Sequence, residues 1–255
     1  MVNNVKYSFK RYEKKYFLTP SQYEKFIELI KDKVLTDPYG SYTVCNIYYD
    51  TDDWRLIRAS VEKPYYKEKL RVRSYGVPKD GDTVFAEIKK KCGGVVYKRR
   101  ISLKSEFAEE YLENPQKYEN FGQIGNEIAY FQKFYGAAPK VFIAYDRTAF
   151  FGKEDPDLRI TFDRNIRWRN THLDLRAGDF GQPLTGDNRI LTEIKISDSC
   201  PLWLTKALSR TGAFPISFSK YGKCYEKNVL GKTAPPVLDT APENKNYFKE
   251  AHFCA

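Results

Sequence analysis

The stretch Lys69-Leu70-Arg71-Val72-Arg73-Ser74-Tyr75-Gly76 alternates Arg71 and Arg73 with Leu70, Val72 and Ser74, the period of two that a β-strand imposes on its faces. An ordinary half-exposed strand mixes Thr, Ser, Glu and Lys on its polar side, whereas here that side carries fixed charge. The habit recurs in both directions. Upstream, Arg11, Glu13 and Lys15 alternate with Tyr12, Lys14 and Tyr16. Downstream, Glu87 and Lys89 alternate with Ala86 and Ile88, and Lys98 and Arg100 with Tyr97, Arg99 and Ile101. Tyr145, Arg147 and Ala149 share a parity, and Arg159, Thr161 and Asp163 oppose Leu158, Ile160 and Phe162. Glu193 and Lys195 sit between Thr192, Ile194 and Ile196, and Ser219 or Lys220 closes the series. Seven or eight strands with one charged and one apolar face predict an α+β fold, a closed antiparallel β-barrel whose lumen is basic and whose apolar outside is decorated by helices, the eight-stranded form being the one that the resemblance given below implies. Many like charges in one cavity repel one another, so the lumen predicts a multivalent anion as its ligand.

Helix signals fall at residues 19–33, where Thr19 caps a run bearing Phe26, Leu29 and Ile30, at 105–118, at 125–135 and, shorter, at 201–210. No repeat or Gly/Ser linker divides the chain. One domain over residues 1–231 is expected, followed by an extended tail over 232–255 that holds Pro235, Pro236 and Pro242.

Composition narrows the chemistry. The 255 residues carry 43 Lys+Arg against 33 Asp+Glu, a net charge of +10 that points to a polyanionic partner. Five cysteines without a CxxC pair argue against a disulfide framework or a zinc site, and two histidines without paired spacing leave nothing for a His metal site or a charge relay. No run approaches the roughly 18–20 apolar residues of a membrane span, and the N-terminus lacks a signal peptide, so the chain reads as cytoplasmic. Nucleic acid is disfavoured because charge alternating on many strands describes an enclosed lumen better than an open groove. The 20 Tyr and 17 Phe are assigned mainly to core, since many sit opposite the charged positions or on helices.

The segments RYEKKY (11–16), IYYDTDD (47–53), KLRVRSYG (69–76), AEIKKK (86–91), YKRRISL (97–103), AYDRTAF (144–150), LRITFD (158–163), LTEIKI (191–196) and FSKY (218–221) occur in an order that resembles the vacuolar transporter chaperone (VTC) domain. That domain is the polyphosphate polymerase branch of the triphosphate tunnel metalloenzymes, the superfamily that includes the CYTH triphosphatases. The resemblance spans about residues 8–226 and implies a tunnel barrel. It implies that Lys15, Arg71, Arg73, Lys89, Lys98, Arg147, Arg159 and Lys220 coordinate phosphates, with Arg71, Arg73, Arg147, Arg159 and Lys220 at the transferring group. Ser219 matches a substrate-contacting position, and Glu193 the glutamate that holds Mn²⁺ or Mg²⁺. Where the triphosphatase branch opens with ExExK, this chain has Arg11-x-Glu13-x-Lys15. The exchange removes a metal ligand and adds a cation, favouring transfer from ATP to polyphosphate over hydrolysis.

Phosphoryl transfer asks for charge stabilisation and in-line positioning, which Arg and Lys supply without titrating near pH 7. Glu193 suits a hard divalent cation, with a buried ion pair as its alternative. Glu13 is either a second ligand or a balance for Arg11 and Lys15, Glu87 a lumen counter-charge, and Asp163 a partner of Arg159. Polymerisation, hydrolysis of triphosphate or polyphosphate (with Glu13 or Glu87 orienting water), and non-catalytic binding of polyphosphate or inositol phosphates remain the three readings. Family relatives work beside a transmembrane channel; any such membrane partner of this chain is encoded elsewhere.

Overall fold

The computed structural model describes residues 12–228, apart from 63, 94, 116–120 and 198. Arg11, the tail over 232–255 and the end of the 105–118 helix lie outside the described residues. Ten strands form one antiparallel sheet: β1 (Tyr12–Leu18), β2 (Val34–Asp50), β3 (Tyr66–Tyr75), β4 (Thr83–Cys92), β5 (Val95–Lys104), β6 (Ala138–Gly152), β7 (Arg159–Arg169), β8 (Gln182–Pro183), β9 (Ile190–Ile196) and β10 (Pro215–Ile216). They run in the order β10-β1-β9-β7-β6-β2-β3-β4-β5, with β8 on β7.

The helices are α1 (Pro20–Ile30), α2 (Arg55–Val61), α3 (Ala108–Glu113), α4 (Gly122–Tyr135), α5 (Leu202–Thr211) and α6 (Lys220–Asn228). Thr19 and Gln22 form a reciprocal capping box at the start of α1, followed by Pro20 in the first turn, where its missing N–H costs nothing. α4 stops at Gly136, whose φ of 56° is the left-handed conformation that glycine adopts without penalty. The helix expected from residue 105 is instead a 3-10 turn at Ser105–Phe107 leading into α3.

Helices cover the apolar face, as the alternation requires. Leu70, Val72, Val84, Ala86, Ile88, Ile101 and Leu103 pack on α3 and α4 through Tyr111, Leu112, Ile128 and Phe131. Tyr16, Leu18, Ile160, Phe162, Ile194 and Ile196 pack on α1 and α5 through Phe26, Ile30, Leu204 and Leu208. Each such side chain fully removed from water stabilises the fold by roughly 1.5–3 kcal/mol.

The expected barrel does not close. Eight strands are long, but among the described residues nothing pairs with the outer edge of β5, and β1 spends its free edge on the two residues of β10. β10 takes up part of the β1 edge, and both edges carry charged side chains, Lys98 and Arg100 on β5 and Glu13 and Lys15 on β1, which discourage strand addition. The sheet curls nonetheless. Laid flat, β1 and β3 would stand about 24 Å apart, five strand spacings. Yet one short segment reaches both: Lys15 of β1 donates to the Phe218 carbonyl at 2.9 Å, and Lys69 of β3 lies 5.9 Å from the centre of the Tyr221 ring. The product is a trough, open along one seam, with its charged face inward.

Candidate active site

Register carries the inward face from strand to strand. Lys15 is opposite Glu193, Glu193 opposite Thr161, and Asp163 opposite Arg147. Arg147 is opposite Tyr42, Asn46 opposite Arg73, Arg71 opposite Glu87, and Lys89 opposite Lys98. One continuous surface therefore holds Lys15, Arg71, Arg73, Lys89, Lys98, Arg147, Arg159 and Glu193.

Lys220 reaches the same surface from a helix, which corrects its placement at the end of the strand series. It is the first residue of α6, and Ser219 before it accepts the Gly222 N–H at 3.1 Å as the helix cap. α6 lies within the trough and closes one end of it. Phe218, Tyr221, Cys224 and Tyr225 pack there against Val44, Tyr48, Val141, Ile143, Ile166 and Trp168. Asp50, fully buried, holds this helix: it accepts the Tyr221 hydroxyl at 2.8 Å while capping α2 through the Leu56 and Ile57 N–H groups at 2.9 and 3.0 Å.

On the β3–β4–β5 wall Glu87 is the central anion. Arg71 donates to it through Nε at 2.8 Å, Lys98 lies 2.8 Å from its other oxygen, and Arg73 stands 3.8 Å away. Burial pushes the Glu87 carboxyl up, but Arg71, Arg73 and Lys98 outweigh it and hold the group down to about 2. Arg71 also donates to the Tyr48 hydroxyl at 3.0 Å, and Arg73 to Asn46 Oδ1 at 2.9 Å. Among the described residues no carboxylate lies within 4 Å of Lys69 or Lys89. Burial and the neighbouring Lys67, Lys89, Lys15 and Arg71 lower Lys69 to about 7. Lys98 is lowered to about 8, by burial first and by Arg73 and Arg71 against the opposing pull of Glu87.

The opposite wall is charge-balanced. Arg147 grips Asp163 with two parallel hydrogen bonds of 2.7 and 2.8 Å, and Lys220 donates to the same carboxylate at 2.6 Å. Asp163 is thus the partner of Arg147 and Lys220, not of Arg159. Four residues along one strand span about 13 Å, whereas Arg147 is directly across the ladder. Arg159 pairs with Asp37 at 3.4 Å. Burial opposes ionisation of Asp163 but Lys220 and Arg147 prevail, so its carboxyl stays below the usual range.

Glu193 differs from Asp163 in one respect that matters for a metal. Lys220, Lys15, Arg147 and Lys195 surround it at 3.6, 3.7, 3.9 and 3.9 Å, all beyond hydrogen-bonding distance. Burial raises its carboxyl and these cations overcome that, keeping it ionised with oxygen lone pairs uncommitted. Glu13 shares two of the cations, at 3.4 Å from Lys15 and 3.9 Å from Lys195. No cluster of three His, Cys, Asp or Glu side chains stands ready for a metal among the described residues. One or two carboxylates with the rest of the shell left to phosphate and water is the donor set Mg²⁺ and Mn²⁺ accept, so Glu193 and Glu13 fit such an ion carried by a phosphate chain.

Tyr145 and Lys69 join the site without having been singled out from the sequence. Tyr145 is buried, with Lys220 4.3 Å and Arg147 5.0 Å from its ring centre; burial raises its hydroxyl, and Arg147, Arg73 and Lys220 bring it below the usual tyrosine range.

Comparison with known proteins agrees with this architecture. A Bacillus halodurans protein provisionally named an adenylate cyclase superimposes with a TM-score of 0.52 at 11% identity, covering 81% of this chain and 92% of that one. A Hippeastrum protein, provisionally named an adenylyl cyclase and described as having a dominant triphosphatase activity, gives 0.51 at 18% identity, covering 88% and 97%. At such identities the likeness is one of fold. In sequence, the chain is 27% identical to vacuolar transporter chaperone complex subunit 4 of Schizosaccharomyces pombe over 53% of its own length, and spans 22% of that protein. No helix among the described residues is long and apolar enough to cross a membrane. The family model of the VTC domain matches residues 10–229, and the chain belongs to that family.

Proposed function

We propose that the protein is a polyphosphate polymerase, transferring the γ-phosphate of ATP to the end of a polyphosphate chain lying in the trough, with Mn²⁺ or Mg²⁺. The observation that supports it most is the single inward surface on which Lys15, Arg71, Arg73, Lys89, Lys98, Arg147 and Lys220 converge from several strands and one helix. Arg71 and Arg73, two residues apart on one strand, would fork onto successive phosphates. Arg147 and Lys220, fixed by Asp163, would hold the transferring group without rearranging as charge develops. Glu193, with Glu13, would hold the metal, which when bound neutralises phosphate charge.

The nucleophile in this reaction is a terminal phosphate oxygen, ionised before it attacks, so no side-chain base is required. The alternative of hydrolysis needs a carboxylate to orient or deprotonate water. Neighbouring cations lower the basicity of Glu87, Asp163 and Glu193, which disfavours proton abstraction from water by these three. Incubation of purified protein with ATP and Mn²⁺, followed by gel electrophoresis, tests the reading. Long polyphosphate is expected; phosphate release alone would assign the site to hydrolysis, and binding without turnover to a sensor.

A further inference from the structure

Part of the trough's inward face is aromatic. Tyr42 on β2, Tyr75 on β3 and Phe85 on β4 all fall on the inward parity: Tyr42 is opposite Arg147, Phe85 is opposite Arg73, and Tyr75 follows Arg73 by two residues. The rings meet edge to face, Tyr42 with Tyr75 at 5.8 Å and Tyr75 with Phe85 at 6.0 Å, and the Arg100 guanidinium lies 4.4 Å from the centre of Phe85. Tyr75 is 52% exposed, although helix-covered core lies on the other face of the same strand.

We infer that Tyr42, Tyr75 and Phe85 form a platform for the base of a nucleoside triphosphate whose phosphates enter the cationic lane. This rests on the polymerase reading and assigns the residues that hold the base of its ATP donor. The two surfaces are continuous. Tyr42 is opposite Arg147 on β6, and Arg73 stands on the same strand face as Tyr75, so a base over Tyr75 would leave its phosphates pointing at those guanidiniums. An exposed aromatic face stacks any base and discriminates little among them, because every base has a π-face. Adenine, guanine and pyrimidine triphosphates should therefore all bind, purines more tightly because they stack over a larger area.

The test is isothermal titration of the whole protein with ATP and with tripolyphosphate, for wild type, Tyr75→Ala and Tyr75→Phe. The expected result is that Tyr75→Ala weakens ATP about tenfold, the scale of one lost base-stacking ring. Tripolyphosphate affinity should stay within twofold, and Tyr75→Phe should bind both ligands as wild type does. Loss of ATP affinity that Tyr75→Phe fails to restore, equal weakening of both ligands, or no change in ATP would each overturn the platform. If the wild type binds tripolyphosphate but gains nothing from the nucleoside, the platform alone fails; if it binds neither ligand, the polymerase reading fails with it.

Discussion

The two walls of the trough use the same residue types to opposite ends. On the β1–β9–β7–β6 side, with Lys220 added from α6, Asp163 is locked by Arg147 and Lys220 at hydrogen-bond distance, and Glu13 and Glu193 are interleaved with Lys15 and Lys195. On the β3–β4–β5 side one carboxylate, Glu87, faces Arg71, Arg73 and Lys98, while Lys69 and Lys89 stand without a counter-ion within 4 Å among the described residues. The balanced wall is a rigid piece of protein, stable when empty. The unbalanced wall is strained by repulsion until a polyanion arrives, and there binding energy is stored for the ligand. Substitutions at the hydrogen-bonded ion pairs of the first wall should therefore be felt in stability, and those on the second in binding.

Arg147→Met is the strongest way to break this contrast. It leaves buried Asp163 with Lys220 alone, and loss of about 3 kcal/mol in urea denaturation is expected, the lower end of the cost of breaking a buried pair because one partner remains. Lys98→Ala, on the unbalanced wall and 43% exposed at its side chain, should change stability by under about 1 kcal/mol while weakening tripolyphosphate severalfold. Equal destabilisation by the two would erase the distinction between the walls.

Glu193→Gln sharpens it within the balanced wall. Because the cations stand 3.6–3.9 Å from Glu193 rather than in hydrogen bonds, the neutral isostere should fold normally. Metal-titrated transfer should fall about a hundredfold, and tripolyphosphate binding without metal should hold or rise as one anion leaves the field. A mutant that melts early yet keeps wild-type metal dependence would make Glu193 a structural ion pair instead.

Tyr221→Phe probes how α6 is held. Removing the hydroxyl leaves Asp50 with its backbone donors, so stability should drop by only about 1 kcal/mol, read as a shift in urea midpoint. Transfer should suffer more than folding, since Tyr221 adjoins Lys220.

The smallest effect concerns pH. Lys69, lowered from 10.5 to about 7, binds fewer protons in the folded than in the unfolded chain between those values. Stability of the empty protein from this group therefore falls as pH drops from about 10 to 7 and is constant below. A polyanion restores the proton, so binding near pH 7.5 should take up protons, visible as buffer-dependent heats in calorimetry. Lys69→Gln should reduce that uptake.

Much of this was legible from alternation alone. Leu70, Arg71, Val72 and Arg73 assign their own faces, because strand parity is a local property. Partners across the sheet were not. Asp163 was matched with Arg159 on its own strand, while its true partner Arg147 is fixed by β6–β7 register, which no local pattern encodes. Closure likewise depends on whether β1 and β5 meet, strands separated by most of the chain. Lys220 was read as part of a strand because Phe218-Ser219-Lys220-Tyr221 is too short to reveal a helix cap. The significance of Lys69 lies in its distance from anions, a quantity absent from sequence.

The most direct measurement of the central claim, that an unbalanced cationic wall awaits a polyanion, is the melting temperature of metal-free protein against tripolyphosphate concentration at low and high salt. The account predicts a rise proportional to the logarithm of concentration above the dissociation constant, shrinking in high salt. An unchanged melting temperature at millimolar tripolyphosphate would contradict it.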